Sequence, residues 1–418
     1  MVKAGALYYA IFISFLVALL GGFFIMNVWM HHAHTLIILN GKRLERNIQS
    51  ALLLTQESSG LALENKSDDV DLFNDGNDIV SVVRKQWGGY SLVKAEAEGK
   101  FTYRSAIGLY GKDIFENEKT ALYLSDKGQY LSLTGRTVIK GDCFLPKSGL
   151  RKAYIEGNSF TGSKMTEGRI SDSKPHLPAE NHNTIASNIA YFTGQVSPGD
   201  TLVDISLLLR SDTVRQSFYR KTLIMFSKQW VTLTGKVLQG NIRIISSKGV
   251  TISKSAQTDN IIIYAPKIEV EKGFTGNLQL FASDTIIINA GVTLLFPSLL
   301  AIPDTRNPKA LISIGKNCNI IGDLFLTIKD ETKNSMSECL LNTGSVITGR
   351  VYCGGRVELK GTVNGTIYTN RFILRTPGSI YENHLLDATI NFNALPEYYS
   401  GSLIDESVVR YKMVKWLR

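Results

Sequence analysis

The sequence predicts a mainly β protein: an N-terminal transmembrane and amphipathic α-helix, a small antiparallel β meander, then a parallel β-helix (solenoid) with an inserted segment. Three observations carry that prediction. The run from Ala4 to Met30 has no charge, short alternating strands step by about 18 residues through the second half, and 36 Gly stand against 10 Pro. Glycine supplies positive-φ corners, whereas proline removes donors from a hydrogen-bonded ladder. The expected domains are an anchor and stalk over 1–60, an acidic linker and small β domain over 61–129, a β-helix over 130–395 interrupted at about 171–226, and a C-terminal cap or basic tail over 396–418.

Composition narrows the class. A chain of 418 residues exceeds one ordinary core. A mean hydropathy of +0.01 fits neither a polytopic membrane protein nor a disordered chain. The net charge of +9 forms no stripe that would name nucleic acid as a partner. Four cysteines make neither a disulfide scaffold nor a zinc array.

The opening run is longer than the roughly 20 residues a bilayer-spanning helix needs. Tyr8, Tyr9 and Trp29 stand where interfacial aromatics belong, with Leu16, Leu20 and Phe24 in the apolar body. A cleaved signal peptide would show a shorter apolar core and an A-x-A-like site. Lys3 close to the span favours an inner N-terminus, with the bulk of the chain in the periplasm of a bacterial inner-membrane protein. His31, His32 and His34 follow as interfacial residues, without the Cys or acids a metal site wants. Leu36, Leu39, Leu44, Ile48, Ala51 and Leu52 keep a three-and-four spacing, so the helix continues as a stalk until Ser58, Ser59 and Gly60.

The start MVKAG followed by ALYYAIFISFLVALL resembles the type IV pilins and minor pseudopilins. Their short basic leader ends in Gly, and one long helix follows that is apolar, then amphipathic. The resemblance implies processing between Gly5 and Ala6 and a role as a pilus or type II secretion component. Ala10 takes the fifth mature position, where most of the family carries Glu.

Asp68, Asp69, Asp71, Asp75 and Asp78 form an acidic stretch around Gly76. Phe73 and Val82 occupy places where an EF-hand loop needs oxygen ligands, so an acidic surface turn is expected. From Ile79 to Leu109 apolar and polar residues alternate between Gly88, Gly89 and Gly99, which reads as the meander.

Beyond Tyr130 the strands are short, and Val138 and Ile155 stand near one coil apart. The strip TLVDISLLLRSDTVRQSFYRKTLIMF within the interruption has helical potential. Past it, Ile252, Val270 and Ile288 form one column, Ile244, Ile263 and Leu280 a second, and Leu294 with Ile312 a third step. Stacked coils about 4.8 Å apart would turn such columns into continuous inward ladders. A β-sandwich would show longer strands, Asn-Gly or Asp-Gly hairpins and no fixed period.

The segment GSVITGRVYCGGRVELKGTVNGTIYTNRFIL, from Gly344 to Leu374, resembles the bactofilin (polymer-forming) family. Gly344, Val346, Gly349 and Val351 match one coil of that family, and Gly355, Val357, Leu359, Gly361, Val363, Gly365 and Ile367 the next. The resemblance implies a non-enzymatic scaffold that self-associates, with Val346, Val357, Val363 and Ile367 in the ladder. The C-terminal VVRYKMVKWLR is basic with apolar residues interleaved, suiting a cap over the last coil or a partner- or membrane-touching helix.

No catalytic, phosphate-binding or cofactor motif is found. A polysaccharide-cleaving β-helix would need acids from neighbouring coils, for which Asp304 with Asp323 and Glu338 with Glu358 are the candidates. His176 and His182 are too widely spaced to suggest a metal. Cys143, Cys318, Cys339 and Cys353 read as buried thiols, with Cys339 and Cys353 near enough in sequence to approach each other. The sequence therefore points to a membrane-anchored envelope scaffold that forms homo-oligomers or binds envelope proteins. A polysaccharide-binding or carbohydrate-active β-helix is the rival.

Overall fold

A computed structural model describes residues 4–57, 67–73, 76, 78–115, 119–192, 194, 199–206, 210–329, 336–402 and 410–417. Lys3, the expected helix stop at Ser58–Gly60, and Asp75 lie outside them. The chain is mainly β and divides into two compact units. One comprises Met1–Thr55, Gly60–Arg84 and Val93–Ala106; the other comprises Gln56–Ser59, Lys85–Leu92 and Ile107–Arg418.

The first unit is built on α1 (Ala4–Glu57), a single helix about 80 Å long at 1.5 Å per residue. It is long and apolar enough to cross a membrane. Tyr8, Tyr9, Leu16, Leu20, Phe24 and Trp29 are all exposed, as are His31, His32 and His34. Burial starts at Gly41 and recurs at Leu44, Asn47, Ile48, Ala51, Leu52 and Thr55. Leu36 and Leu39, expected on the same stripe, remain exposed.

The lower half of the helix stands on an antiparallel sheet of β1 (Ser67–Asp71), β2 (Ile79–Trp87), β3 (Tyr90–Gly99) and β4 (Thr102–Lys112). Within this unit Val80, Val82, Val93, Ala95 and Ala97 alternate inward. Asp78 departs from the expected surface turn. It is buried, accepting from the Asn47 amide at 2.7 Å and pairing with Arg43.

In the second unit, parallel ladders begin at Thr120, ten residues before the expected start. Coil stacks on coil in register: Ile252 with Val270 and Val270 with Ile288, and likewise Ile244, Ile263 and Leu280. Leu294 pairs with Ile320 rather than stepping to Ile312, whose partner is Ile286. Val346 is also corrected. It is half-buried, and the inward place belongs to Ile347, which stacks between Ile320 and Val363. Val357, Val363 and Ile367 are fully buried, each such side chain contributing about 1.5–3 kcal/mol.

The stacking order is not the chain order. Ile367, Tyr368 and Thr369 pair with Leu122, Tyr123 and Leu124, whose coil continues through Cys143–Phe144 to Ile170–Ser171. The opposite tip is Thr201–Asp204, paired with Leu223–Phe226. The first coils in the chain thus sit on the last one, and the segment after Asp172 must run back along the stack. The expected interruption at 171–226 is that return plus the coils at the far tip. Within its supposed helical strip, Thr201–Asp204, Thr213–Gln216 and Leu223–Ser227 are strands, because ladder pairing overrides a local helical spacing, while Ile205 and Ser206 are helical. Val138 and Ile155 are not stacked: Val138 pairs with Thr389, and Ile155 lies in a two-stranded hairpin with Asn158.

The segment Gly344–Leu374 lies inside the stack, with coils on both sides. The C-terminal segment is a strand, Tyr411–Leu417, antiparallel to Ile107–Lys112 of β4, and not a helix.

Candidate functional site

One outward face of the second unit carries a run of aromatic side chains beside a buried ion pair. Its strands alternate, so one column points into the coil core and the next points out. Register places Tyr264, Phe281, Ala301, Phe325, Tyr352, Tyr368, Tyr123 and Phe144 in a single outward column, interrupted only by the alanine. Ring centroids are 5.1 Å apart for Tyr264–Phe281, 5.0 Å for Phe325–Tyr352, 6.1 Å for Tyr368–Tyr123 and 5.6 Å for Tyr123–Phe144.

The return segment covers this ladder. Lys174 donates its N–H to the Tyr123 oxygen at 3.0 Å, while Tyr123 donates to the His176 carbonyl at 3.1 Å. Tyr352 donates to the Pro178 carbonyl at 2.8 Å. α2 (His182–Phe192) then stacks Tyr191 on Tyr264, and Tyr264 donates to Asn188 Oδ1 at 2.9 Å. His176 and His182 therefore belong to a strap, and no group of three metal-capable side chains occurs among the described residues.

Beside the ladder, the neighbouring outward column carries Asp323 and Arg350, paired across two coils at 2.8 Å and both buried. Asp323 accepts from the Arg350 backbone and guanidinium, from Tyr399, and from the Ser402 amide and hydroxyl. Arg350 also donates to the Ser402 carbonyl at 2.7 Å. Burial pushes the Asp323 carboxyl up, but Arg350 and these donors outweigh it and hold it below the usual carboxylate range. A small cleft of about 20 Å³ opens here, lined by Asp323, Phe325, Arg350, Tyr352, Tyr368 and Ser402 among others. With both carboxylate oxygens filled by donors, Asp323 is suited to fastening and not to proton transfer. What it fastens is the arm from Tyr399 to Ser402, which leads to the C-terminal strand.

Glycine allows this closeness at one point. Gly349 has φ +149°, and a Cβ there would stand 2.1 Å from the Gly322 carbonyl and 2.4 Å from the Tyr399 hydroxyl.

The candidate acid pairs are not assembled into a hydrolytic site. Asp323 lies level with Leu299, five positions before Asp304 on its strand, so the register does not set the two carboxyls side by side. A retaining pair needs about 5 Å. Asp304 itself occupies a corner, 3.8 Å from Lys329. Glu338 and Glu358 are closer, but Arg375 bridges them at 2.6 and 2.5 Å. Partial burial raises the Glu358 carboxyl, and Lys360 with Arg375 reverses that to a net lowering.

All four cysteines are buried thiols. Burial pushes Cys143 up to about 12, aided by Asp142, and it also raises Cys318. Cys339 is raised well above the ordinary thiol value, first by the adjoining Cys353 thiol and then by burial.

No family model matches the chain, and no curated protein matches it. Among solved structures, the competence-associated pilin ComZ from Thermus thermophilus matches at a TM-score of 0.25 and 10% identity, covering 85% of this chain and 87% of that one. A TM-score so low establishes no common fold.

Sequence inspection missed Arg350, Tyr399 and Ser402, and it noticed Asp323 for a different role. The available signal was faint: a charge of each sign at outward positions of strands that otherwise run in apolar residues, NIIGDLFLTI and VITGRVYC.

Proposed function

We infer that this chain is a non-enzymatic, membrane-anchored structural subunit of the cell envelope, of the pilus or pseudopilus kind. One observation carries it: α1 is bare and apolar from Leu7 to Met30, yet buries Leu44, Ile48, Ala51 and Leu52 on an antiparallel sheet. A signal sequence has no use for the buried lower half, and a soluble core helix has none for the bare upper half. The upper half suits a bilayer, and a bundle of like helices once the subunit enters a fibre. The solenoid is then the displayed cargo, on the periplasmic side, with copies of the chain or other envelope proteins as partners.

Mass spectrometry of the chain extracted from its native membrane tests this. A mature N-terminus at Ala6 is the expected result. Retention of Met1 through Gly5 overturns the pilus-type role and leaves an unprocessed anchored scaffold of the self-associating kind.

A further inference from the structure

The apolar part of α1 is longer than a membrane span needs. Every large apolar side chain from Leu7 to Leu39 is exposed, with Leu36, Ile37, Ile38 and Leu39 between 38% and 56%. At 1.5 Å per residue that stretch is about 50 Å long, against about 30 Å for a hydrocarbon core and about 40–45 Å for a bilayer with its headgroups. His31, His32 and His34 interrupt it without ending it. Keeping Leu36–Leu39 out of bulk water, with a modest tilt, sets the edge of the headgroup layer at Leu39. That is two residues short of Gly41, where burial of the helix begins.

The sheet of this unit turns its tips toward the same level. Arg84 donates to the Thr55 carbonyl at 3.2 Å, Asp78 accepts from Asn47, and Gly99 stands against Leu44. Strand β2 therefore descends the helix and β3 climbs back. Arg104, near the start of β4, reaches Glu45 at 3.3 Å and lies against Gly41. The β3–β4 turn at Lys100–Phe101 is thus the part of the sheet nearest the bare helix, and there Phe101 is 70% and Tyr103 53% exposed. Strand β1 ends at this level too, because Asp71 pairs with Ile79, and Phe73 just past it is 66% exposed. The β2–β3 turn, at the sheet's other end, buries Trp87 and Tyr90 instead. Charges around the exposed tips are mixed: Lys42, Lys100 and Arg104 stand against Glu45, Asp71 and Glu98. Bare phenylalanines in mixed-charge surroundings suit the interfacial layer of a bilayer better than an acidic or a basic partner.

We propose that the tips of this sheet lie in the headgroup layer of the membrane that α1 crosses, with Phe101 and Phe73 set among the lipids. The sheet is then a second, peripheral contact that holds the chain at one height on the bilayer. The proposal rests on the anchored reading of α1 given above. The contact is apolar in origin, so it needs no anionic lipid.

The test uses the full chain in phosphatidylcholine vesicles, with and without phosphatidylglycerol. A nitroxide is placed on one introduced cysteine at a time: Phe101→Cys, Phe73→Cys, Leu16→Cys in the span, and Ser50→Cys on the exposed side of the lower helix. The native thiols are buried, and the wild-type chain treated in the same way gives their background. Collision with a water-soluble nickel chelate should be several-fold rarer at positions 101 and 73 than at position 50, in both lipid mixtures. Equal collision at those three positions, with the Leu16→Cys label immersed, overturns the proposal and leaves the anchor standing. A Leu16→Cys label open to the chelate removes the anchor, and the proposal with it. Protection that needs phosphatidylglycerol makes the contact electrostatic, and protection that vanishes as the chain is diluted in lipid makes a second copy the cover; either result overturns the proposal. Last, a label at Lys100→Cys should lose its protection several-fold when Phe73→Ser and Phe101→Ser are added, since exposed positions tolerate such changes without unfolding. Undiminished protection there overturns the part given to the phenylalanines.

Discussion

Two buried aspartates do the same job in the two units, and they do it at different energetic stakes. Asp78 ties the stalk half of α1 to its sheet through Asn47 and Arg43, but Arg43 keeps more than half of its side chain in water. Asp323 ties the C-terminal arm to the coils through Arg350, whose side chain is only 9% exposed. A charge that loses its partner at the first site leaves an arginine that water can solvate. At the second it leaves a guanidinium sealed in protein. Breaking a buried pair from one side costs far more than the pair contributes, and the exposure of the remaining partner sets the cost.

That contrast yields graded expectations. Asp323→Ala should destabilise the second unit by about 3–5 kcal/mol in chemical denaturation, because Arg350 loses its buried counter-charge and Tyr399 and Ser402 lose the carboxylate they donate to. A cost under about 1 kcal/mol would remove the clamp from the account. Next in size, Ile347→Ala should cost about 2–4 kcal/mol and Val346→Ala well under half of that. Equal costs would restore Val346 to the ladder. Asp78→Ala should cost about 1–3 kcal/mol, read as loss of protease resistance between α1 and its sheet.

The smallest effect is on pH. Asp323 is held below the usual carboxylate range, so its stabilisation is fully present above about pH 4 and fades as the pH falls through its folded-state value. Thermal melts between pH 6 and pH 2 should show Tm falling at the acid end, and Asp323→Asn should flatten that slope. An unchanged slope in the variant would assign the acid sensitivity to other carboxylates.

Legibility followed the range of the interactions. α1 was visible because an uncharged run and a three-and-four spacing are local signals, and the inward Ile252–Val270–Ile288 column because its period repeats within a few dozen residues. The pairing of Ile367 with Leu122 joins positions 245 apart in sequence, and no local pattern announces it. The strap was hidden for the same reason, since its polar turns read as a gap in the repeat. Val346 was misplaced by one residue, which in a period-two strand turns a side chain from core to solvent. VVRYKMVKWLR carried enough apolar residues for either a helix or an edge strand, and only the open edge of β4 decides between them. Asp323 was noticed as an acid, but its meaning depended on an arginine 27 positions away.

The coil order also bears on how the molecule is made. Residues 120–172 emerge well before residues 362–391, which build the surface on which they stack. A ribosome or translocon delivers the chain from one end, so these early coils must wait with their Ile and Leu faces uncovered while some 200 residues follow. The later coils can zip as they arrive, each on its predecessor. Closure of the stack is then a late step, and the interval before it is when the chain is most exposed to aggregation or to the care of a chaperone.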